Sequence, residues 1–285
     1  MKFSHLTTYY LLRLLKKIFS SLKPSSRHNI SIYLANKMFF SKRLRSEQAF
    51  KNIRRAFPTW PKEKILSTLK ECYIFFTSNL IEFISTPKSW EGIEINVIGE
   101  KVLDEALKKN RGVVFISGHF GSWEILGKWL GEHTDLFVGI ALKQKNEGAN
   151  NFFHEQRELP GTKQIYKKGS LEKGYQVLKD NGVLGLVSDQ DAKSKGVFVD
   201  FFGLPASTPK GAALFHLNTL APVVLGVCIK TDHKKYSIEI VPVKTNNDSV
   251  EQITQNYTSI LESYIKKYPE QYFWFHKRWK TKVQP

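Results

Sequence analysis

Val113-Val114-Phe115-Ile116-Ser117-Gly118-His119-Phe120-Gly121-Ser122-Trp123-Glu124 opens as an unbroken apolar run. Its valines and isoleucine predict a strand buried on both faces. Ser117-Gly118 ends that strand. His119 is then placed where a strand leaves its sheet, a usual position for sites in open α/β sheets. Gly121 and Ser122 allow a tight turn, and Glu124 to Leu130 reads as a helix opening.

His119 and Glu124 stand five residues apart. On one continuous helix that spacing points them to different faces. Across a strand, turn and helix, the turn can fold Glu124 back toward the imidazole. A carboxylate on one ring nitrogen leaves the other free to take a proton, so the pair reads as a general base with its orienter. The plainer alternative is a structural histidine, with Glu124 complementing a helix N-terminus. Spacing alone favours the plainer one.

Outward from this stretch the texture alternates. Strands are expected at Ile93–Ile98, Leu136–Ala141, Gln164–Ile165, Val183–Ser188 and Val223–Ile229. Helices are expected at Gly99–Lys109, Asn150–Leu159, Leu171–Lys179 and Gly211–Thr219. The fold class is therefore α/β: a central mixed, largely parallel sheet flanked by helices. Before it lies an N-terminal helical segment, expected to associate with a membrane. The division we expect is 1–23 as an amphipathic or anchoring helix, 24–90 as a basic helical segment packed on the core, and 91–285 as the α/β core. The uncharged run Gly211–Ile229 nears membrane-span length, but Pro222 splits it into a helix and a buried strand.

From Tyr10 to Leu22, Leu11, Leu14, Leu15, Ile18, Phe19 and Leu22 follow helical spacing, with Arg13, Lys16 and Lys17 on the other side. A helix lying in an anionic membrane surface needs that pattern. So does a surface helix packed on its own domain. Residues 29–56 read as a second, basic helix carrying Lys37, Lys42, Arg43, Arg45, Lys51, Arg54 and Arg55 among aromatics. That mix suits a phospholipid interface, and single-stranded nucleic acid nearly as well. Thr59 is expected to cap the next helix, Lys62 to about Ser85, with Pro61 in its first turn.

The chain's 285 residues carry a net charge of +17. Such an excess implies an anionic partner without choosing among nucleic acid, membrane and acidic protein. Cys72 and Cys228 are too few for a disulfide framework and fit a reducing compartment as core residues. No cleavable signal peptide is expected, since Arg13, Lys16 and Lys17 interrupt the apolar region it would need. His133, His154 and His233 lack ligand spacing, so no metal site is expected, and His216 reads as a core histidine.

Four blocks together resemble the bacterial lipid A biosynthesis acyltransferases of the late, lauroyl/myristoyl type, within the lysophospholipid/glycerolipid acyltransferase superfamily. They are Arg45 to Pro58; Gly118-His119-Phe120-Gly121-Ser122-Trp123-Glu124, the superfamily's His-x4-Asp/Glu motif in its Glu form; Asp189-Gln190-Asp191 with Gly196 to Thr208; and Pro269 to Lys280. The resemblance implies transfer of an acyl chain from acyl-carrier protein, or coenzyme A in its place, to a hydroxyl of a phosphorylated glucosamine lipid. It implies the cytoplasmic face of the inner membrane and no metal or redox cofactor. Acylation of another glycolipid or a lysophospholipid is the nearest alternative. A non-catalytic basic protein binding membrane or nucleic acid is a third; no defined nucleic-acid module is visible, so the expected partners exclude nucleic acid.

On that reading His119 is the base and Glu124 holds its tautomer. Arg157, ending an Asn-initiated segment that begins at Asn146, supplies the oxyanion donor, though a surface charge reads as well there. Asn146, Asp189, Gln190, Asp191 and Arg278 are the expected substrate contacts, with turn chemistry an equal reading for the Asp189–Asp191 run. Thr208 is expected to cap the helix from Lys210.

Overall fold

The structure, a computed structural model, describes residues 2–41, 45–158, 162–166, 169–246 and 249–283. Lys42, Arg43 and Leu159, all named above, lie outside them. The N-terminal quarter is helical: α1 Phe3–Ser21, α2 Pro24–Phe40, α3 Ser46–Ala56 and α4 Lys62–Ile84. The rest alternates: β1 Glu94–Ile98, α5 Glu100–Leu107, β2 Val113–Ser117, α6 Trp123–His133, β3 Phe137–Ala141, α7 Glu147–Glu158, β4 Lys163–Tyr166, α8 Ser170–Lys179 and β5 Val183–Val187. A hairpin follows, β6 Val197–Phe201 and β7 Leu204–Thr208, then α9 Gly211–Thr219, β8 Val223–Asp232, β9 Lys235–Pro242 and α10 Val250–Lys267.

Seven strands form one sheet in the order β1-β9-β8-β2-β5-β3-β4. β2 pairs in parallel with β5 and β8, β3 with β5 and β4, and β1 with β9; only β8 and β9 run antiparallel. The expected mixed, largely parallel sheet is present. β2 lies at its centre with every residue buried. Val113 and Phe115 face one layer, packed with Ile125, Leu126 and Trp129 of α6. Val114 and Ile116 face the other, with Leu178 of α8, Phe215 of α9 and Leu261 of α10. Helices on both faces explain the unbroken apolar run.

Several local expectations are corrected. The basic stretch 29–56 is two helices, broken before Arg45, which adopts a left-handed φ of 61°. Thr59 does not cap α4; Pro61 itself stands at the cap with an extended ψ, and its hydrocarbon ring has no acceptor to offer the helix N–H groups. Thr208 ends strand β7, and Lys210 occupies the cap of α9.

Helix α1 divides its apolar stripe between two surroundings. Leu12, Leu15, Phe19 and Leu22 pack on Ile81 and Ile84 of α4 and Phe152 of α7. Phe3, Tyr10, Leu11, Leu14 and Ile18 are exposed. Tyr9 donates to Glu155 at 2.8 Å, and the Asn146 amide donates to Thr8 at 3.0 Å. Among the described residues no helix is long and apolar enough to cross a membrane.

Candidate active site

Strands β2 and β5 run side by side, with Ser117 opposite Val187. The Ser188 N–H extends the ladder to the Ser117 carbonyl at 3.0 Å. Two residues past the last pair on each strand, His119 and Asp189 emerge together. His119 Nδ1 lies 2.7 Å from Asp189 Oδ1. The carboxylate on the imidazole is therefore Asp189, seventy residues downstream, and not Glu124, the orienter expected from the resemblance. With Nδ1–H donated to Asp189, Nε2 carries the lone pair.

The turn that follows His119 is fixed by backbone geometry. Gly121 has φ +61°, and a Cβ there would sit 2.0 Å from the Cys228 carbonyl of β8. Only glycine allows this close approach. The Gly121 N–H reaches the Gln271 carbonyl at 2.8 Å, the Ser122 N–H the Cys228 carbonyl at 2.7 Å, and Phe273 N–H the His119 carbonyl at 2.9 Å. Asn79 of α4 donates to the Gly121 carbonyl at 3.3 Å. The turn is thus tied to α4, to β8 and to the C-terminal segment, and it turns Glu124 away from the imidazole.

Glu124 instead meets Arg157. Nε of Arg157 donates to both carboxylate oxygens, at 3.2 and 3.1 Å, and Nη2 donates to Oε1 at 2.9 Å. The Trp123 indole N–H adds a third tie to Oε1 at 3.1 Å. Arg157 also donates to Gln164 at 3.4 Å. Of its five N–H groups, two remain unspent on these partners.

The electrostatics follow. Burial pulls the His119 pKa down, but the charge and hydrogen bond of Asp189, helped by Glu124, outweigh it and the opposing Arg157; the result stands above the ordinary 6.5. Burial would raise Asp189, yet the His119 charge and hydrogen bonds hold it below the usual carboxylate range. The Tyr272 hydroxyl also bonds Asp189. Burial lowers Arg157, and Glu124 more than restores it.

The remaining expected site residues separate into two groups. Gln190 stays at the site: its amide nitrogen lies 3.3 and 3.4 Å from the two ring nitrogens of His119. The other three are held elsewhere. Asn146 caps α7, accepting the Ala149 N–H at 3.0 Å, and ties it to α1. Asp191 accepts from the Thr281 hydroxyl at 2.9 Å and its N–H at 3.3 Å. Arg278, expected to meet an anion at the surface, is 2% exposed. It donates to the Ser207 carbonyl at 2.7 Å and lies 4.9 Å from the Phe201 ring centre, sealing the β6–β7 hairpin to the core. The sequence reading assigned no role to His276, whose ring accepts the Asp191 N–H at 3.2 Å.

Beside the pair runs a groove of about 810 Å³, inside the roughly 300–1,000 Å³ that houses most small-molecule ligands. Leu15 and Phe19 of α1, Leu34 and Met38 of α2, and Leu80 and Ile81 of α4 form much of its wall. Glu124, Arg157, Trp123 and Phe273 also line it. Those two rings also flank His119, with centres 5.5 and 6.2 Å from the imidazole. Among the described residues no cluster of His, Cys, Asp or Glu could hold a metal ion.

The chain matches the family described as bacterial lipid A biosynthesis acyltransferase over residues 1–281. It belongs to that family. Among its relatives is a phosphatidylinositol mannoside acyltransferase of Mycolicibacterium smegmatis, 28% identical over 66% of this chain and 63% of the relative. A lipid A biosynthesis palmitoleoyltransferase of Escherichia coli is 26% identical over 84% of this chain and 79% of its own length. A lipid A biosynthesis lauroyltransferase of the same organism is 24% identical over 66% and 62%. The chain thus spans under two thirds of the mycobacterial relative it matches. All of these matches fit the expected lipid A acyltransferase resemblance at the level of family.

Proposed function

We propose that this protein moves a fatty acyl chain from a thioester carrier to a hydroxyl of a phosphorylated glycolipid of the lipid A precursor type. The observation that carries this reading is the His119–Asp189 pair beside an apolar groove, reached through Trp123 and Phe273, which line the groove and flank the imidazole. An acceptor alcohol is a poor nucleophile while protonated. Nε2 of His119 takes its proton as the oxygen attacks the thioester carbonyl, and general-base help of this kind contributes about 10²–10⁴ in rate. Asp189 holds the tautomer and stabilises the imidazolium. The tetrahedral oxyanion takes the N–H groups of Arg157 not spent on Glu124 and Gln164, the guanidinium being fixed by Glu124 in the groove wall. The C–S bond then breaks, and the departing thiolate takes the proton back from the imidazolium.

The groove receives the acyl chain, each buried methylene contributing about 0.8 kcal/mol. Acyl-carrier protein is the donor that suits the net charge of +17, since that protein is acidic and the resemblance implies it. The exposed Phe3, Tyr10, Leu11, Leu14 and Ile18, beside Arg13 and Lys17, suit contact with the anionic cytoplasmic face of the inner membrane. No metal or redox cofactor enters this chemistry.

A second reading keeps the same chemistry with a different phosphoglycolipid acceptor. The 28% identity to a phosphatidylinositol mannoside acyltransferase favours it. Mass spectrometry of lipid extracts from cells with and without the gene separates the two. Loss of one acyl group from the lipid A fraction supports the first reading. An unchanged lipid A fraction with a missing acyl group on another glycolipid supports the second.

A further inference from the structure

Residues 189–191 carry the two polar side chains at the His119 ring nitrogens: Asp189 on Nδ1 and Gln190 across its edge. On the sheet side this turn is anchored by the Ser188 N–H on Ser117, and on the far side by the Ala192 N–H on Ser207 at 3.3 Å. Between those anchors the Asp191 N–H points away from the sheet, to Nε2 of His276 at 3.2 Å. Nε2 can accept only while the imidazole is neutral.

His276 is itself held in place. Its carbonyl accepts from the Asn52 amide of α3 at 2.6 Å and from the Arg278 N–H at 2.9 Å. Three residues beyond Arg278, Thr281 grips the Asp191 carboxylate. The His276 backbone is therefore held independently of the turn.

We propose that His276 is a positioning residue: its neutral ring latches the Asp191 N–H and so fixes the turn that presents Asp189 and Gln190 to His119. The charged and titratable groups facing it are Asp189, His119, Asp191 and Arg278. Burial lowers its pKa, and although the Asp189 and Asp191 charges oppose this while His119 and Arg278 add to it, the value stands below the ordinary 6.5, so the neutral ring predominates at pH 7. Without the latch the turn keeps its Ser188, Ala192 and Thr281 ties but loses the one on the Asp191 N–H, and Asp189 shifts from its place on Nδ1. His119 then loses the charge that raises its pKa. The kinetic consequence rests on the reading of His119 as the base; the geometric one does not.

The test is the titration of His119 followed by NMR on histidine-labelled protein, its resonance identified by its loss in His119→Ala. In His276→Ala the His119 pKa is expected to fall by about 1 pH unit, the low end of what loss of an adjacent carboxylate removes. In His276→Gln, Oε1 replaces Nε2 as acceptor, and the wild-type value is expected to return. Should the alanine variant fail to fold, His276→Leu fills the volume without an acceptor and takes its place. In the acyl-transfer assay kcat is expected to drop about 10–10²-fold with KM little changed, as for a misplaced reacting group, and glutamine is expected to restore it. An unshifted His119 titration in the alanine or leucine variant overturns the proposal, as does a glutamine variant that behaves like alanine. Absence of acyl transfer in the wild type would sink the acyltransferase reading alone, because the titration still decides the latch.

Discussion

Nδ1 of His119 and Oδ1 of Asp189 lie 2.7 Å apart, joining the exits of two neighbouring parallel strands. The pair is built by the sheet and not by the local turn. Asp189 is 3% exposed at its side chain while the imidazole is 29% exposed, so the carboxylate is buried behind a ring that reaches solvent. That asymmetry suits a base served from behind.

Asp189→Asn is nearly isosteric and keeps the backbone ties. It is expected to lower kcat by about 10²–10⁴, the range general-base catalysis contributes. Glu124→Gln, in contrast, leaves the Nδ1 partner in place. Steady-state kinetics on the two variants checks this. Equal losses in kcat with an unshifted His119 titration in Asp189→Asn would return the orienter's role to Glu124.

The direction of the His119 shift fixes the pH dependence. Its folded pKa is raised above 6.5, and the base works only when neutral. The acid limb of kcat/KM is therefore expected to turn above pH 6.5 and activity to rise with pH through it. In Asp189→Asn, burial acts without the opposing charge, and the limb is expected to move below that of the wild type. A pH–rate profile over both proteins shows it.

Arg157→Ala removes the proposed oxyanion donor from the groove lining and is expected to cost about 10²–10³ in kcat. Arg157→Lys is expected to recover little, because a point charge cannot reproduce the fork on Glu124. A lysine variant with near wild-type kcat would mean that only charge matters there.

Gly148 lies where α1 crosses α7. A Cβ there would stand 1.8 Å from the His5 carbonyl oxygen and 3.0 Å from the Tyr9 nitrogen. Gly148→Ala is expected to lift α1, at about 1–3 kcal/mol, the usual cost of overpacking. Because α1 supplies Leu15 and Phe19 to the groove wall, weaker retention of a fluorescent fatty acid is expected alongside a lower Tm. An unchanged Tm would show that the helices part at no cost.

The central strand is legible in the sequence because burial on both faces leaves an unbroken apolar run, as in Val113–Ile116. The same run places His119 at the sheet exit. The hairpin partner β9 carries a fainter signal, Tyr236, Ile238 and Ile240 alternating with the polar Lys235, Ser237 and Glu239. Helix α10 was passed over, despite its Ser249 cap accepting from Gln252. The imidazole's partner was misassigned because the choice between Glu124 and Asp189 depends on β2 lying beside β5 in a set register. Strand order is a long-range property, and no local spacing encodes it. Arg278 was misjudged for a related reason: a cation in a basic, aromatic run looks exposed until the hairpin that covers it is known.

The most direct measurement is single-turnover acyl transfer from acyl-carrier protein to a tetra-acylated glucosamine disaccharide phosphate, followed by mass spectrometry of the acceptor, for wild type, His119→Ala and Asp189→Asn. The expected result is one added acyl group with wild type, none detectable with His119→Ala, and slowed transfer with Asp189→Asn that recovers no further at high pH. Transfer by His119→Ala at the wild-type rate would contradict it.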